Sequence, residues 1–191
     1  MKNCILLFVI VTMLCGCSNT ETKVSEIQEE ETLWQVLNNQ GEVLRYLPDT
    51  NSDVEAIMQV INKNCEYVDN RSYTELSLEK EMDLYTTDFQ KTLNSSGYEG
   101  KVQNMYEENN MTIQQQEVIW YVSTFDEDEK YCKVTVDAEF MILQCDETYL
   151  YQNELALNTL YIEQRVYYME KGDQWKISNI EKSVLSQKET M

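Results

Sequence analysis

The sequence has no histidine, only one proline and five glycines, and few basic residues. The absence of histidine removes the commonest general base and the commonest metal ligand. The scarcity of proline and glycine excludes collagen-like and low-complexity chains. Fifteen basic residues against 34 acidic ones give a net charge of −19, which disfavours nucleic acid and anionic lipid headgroups as direct partners. A hydrophobic fraction of 42% over 191 residues is enough for one modest domain with a packed core.

The amino terminus has the pattern of an export sequence. Lys2 precedes an apolar stretch, residues 5–14, that is too short to span a bilayer comfortably as a mature helix. It ends in Leu14-Cys15-Gly16-Cys17, which resembles the lipobox of bacterial lipoproteins. The alternatives are an ordinary secretory signal or a short membrane anchor. Length, charge, the small residue and the cysteine together favour the lipobox.

The resemblance implies that residues 1–16 are a lipoprotein signal peptide, cut before Cys17. The Cys17 thiol would then carry a diacylglycerol, and two acyl chains hold a protein stably to a membrane where one does not. The mature protein is therefore expected on the outer, extracytoplasmic face of the bacterial cell membrane.

Residues 17–50 are predicted to connect this anchor to the domain. Residues 18–32 are polar and acidic, which is typical of a flexible tether. Residues 33–47 contain two apolar groups around an Asn-Asn-Gln-Gly sequence, residues 38–41. This pattern is compatible with a small hairpin, a partner-binding segment or a short helix.

Two helices are predicted next. Ser52 and Glu55 have the spacing of a capping box, so the first helix is expected to begin at Ser52. A second helix is expected from about Ser77 to the stop at residues 94–97. Apolar residues follow helical spacing in the first (Val54, Ile57, Met58, Ile61, Cys65, Val68) and in the second (Leu78, Met82, Tyr85, Phe89, Leu93).

After residue 100 the period changes to two, which predicts strands. The clearest is residues 131–143, whose dry face would consist of the even positions: Cys132, Val134, Val136, Ala138, Phe140 and Ile142. Further strands are predicted at residues 117–125, 155–169 and 174–180. In the strand over 155–169 the predicted dry side is Leu160, Ile162, Val166 and Tyr168. Short turns at 126–129 and 172–173 imply antiparallel connections.

Helices followed by long antiparallel strands, over residues 52–183, resemble the NTF2-like (cystatin-like) superfamily. The residues that carry the resemblance are 54–68, 85–89, 165–169 and the segment Gly172-Asp173-Gln174-Trp175-Lys176-Ile177. The resemblance implies an α+β fold, with N-terminal helices packed on a curved antiparallel sheet of three to four long strands that encloses a cone-shaped cavity. The domain is expected at 51–184, with a polar tail at 185–191.

The two faces of this sheet suggest two kinds of site. Trp120, Val134, Val136 and Phe140 are predicted to line the cavity. The opposite face carries the candidates for a partner-binding patch: Tyr121, Tyr131, Met141, Tyr161 and Tyr167. Asp137 and Glu139 are expected to point away from the cavity, and an inward Asp137 would instead indicate an enzyme. No catalytic residue, metal ligand or cofactor is predicted.

Two smaller features have structural explanations. Cys65 and Cys132 both lie on predicted apolar faces, so they either meet as a disulfide or stay as buried thiols, and we favour the thiols. Asp126-Glu127-Asp128-Glu129 lacks the glycine and the distal glutamate of a calcium loop, so a solvated turn is expected.

Three hypotheses about function follow. The leading one is a non-enzymatic surface lipoprotein that binds a protein partner; members of the superfamily in conjugative transfer machines suggest an envelope or conjugative assembly. The second is binding of a small apolar ligand in the cone. The third, an isomerase or dehydratase, would need an inward acid or tyrosine pair that the pattern does not supply. Fold alone does not decide among them, and the sequence leaves the oligomeric state open.

Overall fold

The computed structural model describes residues 32–188, which form an α+β domain with five helices and eight strands. The predicted signal peptide, Cys17 and residues 18–31 of the tether lie outside the described residues. No helix within 32–188 is long and apolar enough to cross a membrane. The elements are β1 Trp34–Leu37, β2 Val43–Leu47, α1 Ser52–Asp69, α2 Leu78–Met82, α3 Thr87–Ser95, α4 Tyr98–Glu108, β3 Thr112–Trp120, β4 Ser123–Phe125, β5 Tyr131–Gln144, α5 Glu147–Gln152, β6 Leu160–Lys171, β7 Trp175–Lys182 and β8 Ser186–Gln187.

The strands form one mixed sheet around β5. Its order is β2-β1-β4-β5-β6-β7, with β3 also paired to β5 and β8 also paired to β6. Every pairing is antiparallel except that of β1 with β4. The prediction of three to four antiparallel strands was therefore too small, and it missed the parallel pair. β1 and β2 come from the segment assigned to the tether, so the sheet begins before residue 51.

Residues 33–47 form a β-hairpin, the first of the three predicted alternatives. The turn lies at the Asn-Asn-Gln-Gly sequence, where the Asn38 carbonyl accepts from the Gly41 amide at 2.9 Å. Gly41 has φ +83°, a conformation that glycine adopts without steric cost. Buried Trp34 and Val36 anchor the hairpin in the core.

Helix α1 follows the predicted apolar stripe but has a different cap. The Asn51 side chain accepts from the amides of Asp53 and Val54, so Asn51 is the N-cap, and the predicted Ser52 cap was wrong. The error is one residue, because Asn and Ser are both good N-cap residues and stand side by side here. Val54, Ile57, Ile61, Cys65 and Val68 are buried as the spacing predicts.

The predicted second helix is two helices, α2 and α3. The backbone between them docks on β7: the Leu84 carbonyl accepts from the Ile177 amide, and the Thr86 amide donates to the Ile177 carbonyl. This pairing removes residues 84–86 from helical geometry, and Thr86 then caps α3. A further helix, α4, was missed, because residues 94–97 were taken as a stop and the chain after residue 100 as strands. Gly97 has φ +70° and is the N-cap of α4.

The central strand β5 has the predicted alternation. Five of its six even positions are buried, and Phe140 is half-buried. Glu139 is the exception on the other face, since it is only 2% exposed and accepts from Lys188 Nζ at 2.6 Å. The strand predicted over 117–125 is divided into β3 and β4, and Val122 at the break is exposed.

Strand β6 buries the face opposite to the one predicted to be buried. Its inward residues are Tyr161, Arg165, Tyr167 and Met169, whereas Leu160, Ile162, Val166 and Tyr168 are half-buried on the outer face. The antiparallel register fixes this, because Val134 faces Tyr167 and Thr135 faces Val166 across the ladder. Residues 155–159, predicted as the start of the strand, precede it, and helix α5 was not predicted.

All five helices pack on one side of the sheet, which we call the inner face. α1 and α2 join the main core with residues such as Ile57, Ile61 and Met82. α4 and α5 cover a second, smaller core that includes Ile113, Ile142 and Tyr161. The other side, the outer face, has none of these five helices on it. The predicted polar tail also contributes, since β8 pairs with β6 and Leu185 packs on the second core.

Candidate functional site

A buried ion-pair cluster lies between α1 and the inner face. The Arg165 guanidinium donates to both oxygens of Asp69, at 2.6 and 2.8 Å, and its Nε donates to Glu163 Oε2 at 2.6 Å. Asp69 and Arg165 are each 1% exposed. Lys182 Nζ lies 3.0 Å from the same Glu163 oxygen. Bidentate pairing of this kind offsets the cost of burying the charges.

A chain of buried hydrogen bonds continues from this cluster along α1. Tyr167 Oη donates to Asn64 Oδ1 at 2.9 Å, and Asn64 Nδ2 donates to Tyr85 Oη at 2.9 Å. Tyr85 Oη in turn donates to Glu81 Oε1 at 2.5 Å, and Glu81 is paired with Arg71. Burial raises the pKa of both tyrosines well above the ordinary value, so they remain neutral donors.

These buried polar residues were not predicted from the sequence. Asp69 follows the apolar stripe of α1 at four residues from Cys65, so it lies on the buried side of the helix. Arg165 alternates with Tyr167 and Met169 on β6. The pattern that could have revealed them is a charge of each sign at an apolar position, since buried charges need partners. Within residues 32–188, every buried side-chain nitrogen or oxygen has a hydrogen-bond partner.

An inner pocket of about 260 Å³ opens beside this cluster, under α4. Its lining combines apolar and charged side chains. Burial alone would raise the pKa of Glu163, but Lys182 and Arg165 outweigh it and hold that pKa below its usual value. Glu163 is therefore a persistent carboxylate, whereas a general base near neutral pH needs a raised pKa. The apolar part of the lining includes Met105, Ile113, Phe140, Leu155 and Leu185, and the charged part includes Arg165, Glu163 and Lys182.

The four predicted cavity residues are not brought together around this pocket. Phe140 lines it. Val134 and Val136 are fully buried in the main core, and Trp120 packs against that core with its ring 6.1 Å from Trp34. Together with Trp34 of β1, these three side chains fill the space between α1 and the sheet.

The predicted partner patch is divided between the two faces. Tyr121 and Tyr131 are 41% and 55% exposed on the outer face, where Met141 is half-buried. Tyr161 and Tyr167 are 2% and 0% exposed, so their assignment to an exposed surface was wrong. The physical reason is the β6 register, which turns its odd positions inward.

Asp137 lies on the outer face, as expected. It accepts from Tyr121 Oη at 2.6 Å and from Gln164 Nε2 at 3.1 Å. The hydrogen bond to Asp137 raises the pKa of Tyr121. These bonds order polar side chains from β5, β6 and the β3–β4 connection into one outward-facing group.

A second cavity, the outer groove, lies on the outer face at the end nearest the hairpin turn. Its volume is about 350 Å³. Tyr131 and Tyr168 provide aromatic surface, and the Lys133 ammonium lies 5.9 Å from the Tyr168 ring centroid. The acidic turn forms its rim. Asp126 Oδ1 accepts from the Lys130 and Tyr131 amides at 2.7 Å, so the Asp126 carboxylate stabilises the turn.

The three cysteines within residues 32–188 are free thiols. Cys65 and Cys132 are buried, and Cys145 is partly exposed. Cys65 Sγ lies 3.5 Å from Tyr167 Oη. Burial raises the pKa of both Cys65 and Cys132. Among the described residues, no group of three or more Cys, Asp or Glu side chains is arranged to hold a metal ion.

No protein-family model matches the chain, and no curated protein matches it. Among solved structures, the intermembrane space region of the chloroplast protein ARC6 is similar at 12% sequence identity and a TM-score of 0.48. The match covers 69% of this chain and 97% of that one.

Proposed function

We propose that the protein is a membrane-anchored extracytoplasmic lipoprotein whose NTF2-like domain binds a protein partner without catalysing a reaction. The observation that carries the binding proposal is the outer face of the sheet, where Tyr121 and Tyr131 are exposed. Tyrosine is enriched at protein interfaces because it combines apolar area with a polar tip. An envelope or conjugative assembly is the setting that we favour for this partner.

The anchor proposal is supported by the sequence around Cys17 and by the position of the domain. Fourteen residues, 18–31, separate Cys17 from the first described residue. Fully extended, such a segment reaches roughly 50 Å at about 3.5 Å per residue. That length would be enough to hold the domain clear of the lipid headgroups.

The NTF2-like identity is part of the proposal. It is supported by helices on a single side of a sheet with long antiparallel strands, and by the Trp175-Lys176-Ile177 sequence in the strand β7. The eight-stranded mixed sheet is larger than the resemblance implies. Comparison of an experimental structure with the superfamily would test the assignment.

Anchoring can be tested with Cys17→Ser in a bacterial host fed a clickable fatty acid. We expect the wild-type chain to carry the label and to sediment with membranes, whereas the variant carries no label. A cytoplasmic, unlabelled wild-type chain would contradict the anchor.

Partner binding can be tested by photo-crosslinking in intact cells. A benzophenone amino acid at Tyr121, on the outer face, should give a discrete adduct with one protein. The matched control is the same replacement at Glu66, an exposed position of α1 on the helical side. Adducts at Glu66 and none at Tyr121 would contradict an outer-face interface.

A second function is favoured by the inner pocket: binding of a small ligand with an apolar body and a polar end. The polar end would lie beside Lys182 and Glu163, and the apolar body beside Ile113 and Phe140. The volume of about 260 Å³ is slightly below the usual range of ligand sites, so the ligand would be a small molecule. Met105→Trp should fill the mouth and abolish binding of an apolar fluorophore. Unchanged fluorophore binding would contradict this function.

A further inference from the structure

We propose that the outer groove receives an extended segment of the partner protein, with an apolar side chain flanked by lysine or arginine. The inference rests on the proposed protein-binding function and specifies the chemistry of the partner. Three properties of the groove lead to it: its aromatic wall, its acidic rim and its direction across the strands.

The aromatic wall is exposed and held in place. Tyr131 is 55% exposed at the start of β5. The Tyr168 hydroxyl donates to Glu181 Oε1 at 3.0 Å, which fixes the ring on the outer face. Leu37 closes the groove at the hairpin. A pocket with ordered aromatic walls and a volume of about 350 Å³ can desolvate one or two apolar side chains.

The rim selects the sign of charge. Glu127 lines the groove and forms no ion pair with another residue of the described chain, 32–188. Glu129, in the same turn, is paired with Arg45 on the hairpin, so the turn is held against β2. With a net charge of −19, the protein attracts a basic segment and repels an acidic one. Lys133 also lines the groove, and its ammonium lies over the Tyr168 ring.

The groove crosses the strands and is long enough to receive an extended segment. Its lining comes in order from β1, β4, β5, β6 and β7, from Leu37 to Ser178. Four gaps between adjacent strands, at about 4.8 Å each, give a length of roughly 19 Å. About six residues of extended chain cover that length at roughly 3.3 Å per residue.

The test is a selection of random eight-residue displayed peptides on the full chain, followed by affinity measurement with the best synthetic peptide. We expect selected peptides to be cationic and to contain an aromatic or branched apolar residue. Tyr131→Ser and Glu127→Lys should each weaken binding about tenfold, which corresponds to the loss of one strong contact. Glu66→Lys is the control, because it changes the net charge by the same amount on the helical side.

Three results would overturn the inference: no enriched peptide, acidic or uncharged enriched peptides, or equal affinity for the wild type, Tyr131→Ser and Glu127→Lys. Equal weakening by Glu127→Lys and Glu66→Lys would also overturn it, since only general charge attraction would then be acting. The proposed function is judged separately by crosslinking at Tyr121. An adduct there, together with failure of the peptide test, would leave protein binding in place and reject the groove.

Discussion

The guanidinium of Arg165 lies between two carboxylates at the centre of the inner face. Its two bonds to Asp69 connect the end of α1 to β6, elements almost 100 residues apart in the chain, and its third bond, to Glu163, lies within β6. Breaking a buried ion pair by removal of one partner leaves an uncompensated charge. The stability of the domain should therefore depend on single polar residues as much as on apolar ones.

We expect Asp69→Asn to lower the free energy of unfolding by about 3 kcal/mol, because Arg165 loses its bidentate partner in a dry site. Urea denaturation of the chain from residue 18 onward measures the change. The matched control is Asp88→Asn, the same substitution in the exposed pair of Asp88 with Lys91, which should not move the urea midpoint measurably. Equal effects of the two substitutions would contradict the role of burial.

Glu163 should make stability fall in acid. Its pKa in the folded protein lies below the ordinary value of 4.5, because Lys182 and Arg165 outweigh the opposing effect of burial. Below about pH 4.5 the unfolded chain takes up a proton that the folded chain still resists, so stability present above that pH is lost as the pH falls through the folded value.

Urea titrations at pH 7 and pH 3.5 should show a smaller acid loss for Glu163→Gln than for the wild type. Glu66→Gln, at an exposed position with no described charged partner, should behave as the wild type does. A Glu163→Gln variant with the full wild-type acid loss would refute this explanation.

At the scale of elements, local sequence and tertiary contact compete at the helix ends. Residues 77–93 have one continuous apolar series, yet residues 84–86 pair with β7 and divide the helix. Thr86 and Gly97 then supply the caps of α3 and α4. A helical period therefore sets which side of the segment is buried, whereas a neighbouring strand decides where each helix stops.

Two adjacent residues, Asn51 and Ser52, are candidates for the N-cap of α1, and substitution can distinguish them. Asn51→Ala should cost about 1 kcal/mol, because two amides of the first turn lose the acceptor Asn51 Oδ1. Ser52→Ala, which removes the cap expected from spacing alone, should leave the unfolding free energy nearly unchanged. Thermal or urea unfolding measures both, and the reverse order would show that Ser52 is the cap.

At the scale of the whole molecule, the carboxyl-terminal segment completes the sheet. β8 pairs with β6, and Lys188 Nζ reaches Glu139 on the outer face at 2.6 Å. Glu139 is buried there, and an unpaired buried carboxylate is costly. Residues 185–188 of the predicted polar tail are therefore part of the folded domain.

A chain ending at residue 184 should be destabilised by about 2 kcal/mol, since it loses the packing of Leu185 and leaves Glu139 without Lys188. A chain ending at residue 188 is the control and should match the wild type in urea. Equal stability of both truncated chains would show that β8 contributes nothing.

The buried thiols give a test of global packing. In the folded chain from residue 18 onward, Cys145 should react first with a thiol reagent, because it is partly exposed. Cys65 and Cys132 should react only on unfolding, since burial excludes the reagent and raises the pKa of each thiol. Fewer than three reactive thiols in urea would indicate a disulfide and contradict the structure.

The sequence by itself determined what local periodicity encodes. The buried side of β5, the apolar stripe of α1, the acidic turn at 126–129 and the outward position of Asp137 follow from side-chain spacing, which depends only on neighbours in the chain. The α+β class follows from the order of these elements. The lipid anchor at Cys17 is likewise a property of local sequence, and it stays a prediction.

Only the tertiary structure decided which face of β6 is buried, which strands adjoin β1, and which charges meet. Tyr161, Tyr167 and Arg165 turn inward because the register with β5 requires it, although the even positions of β6 are equally apolar. Asp69 and Arg165 are compatible with burial only because each supplies the other's countercharge. Such pairings depend on contacts between residues distant in the chain, which a pattern of neighbours does not contain.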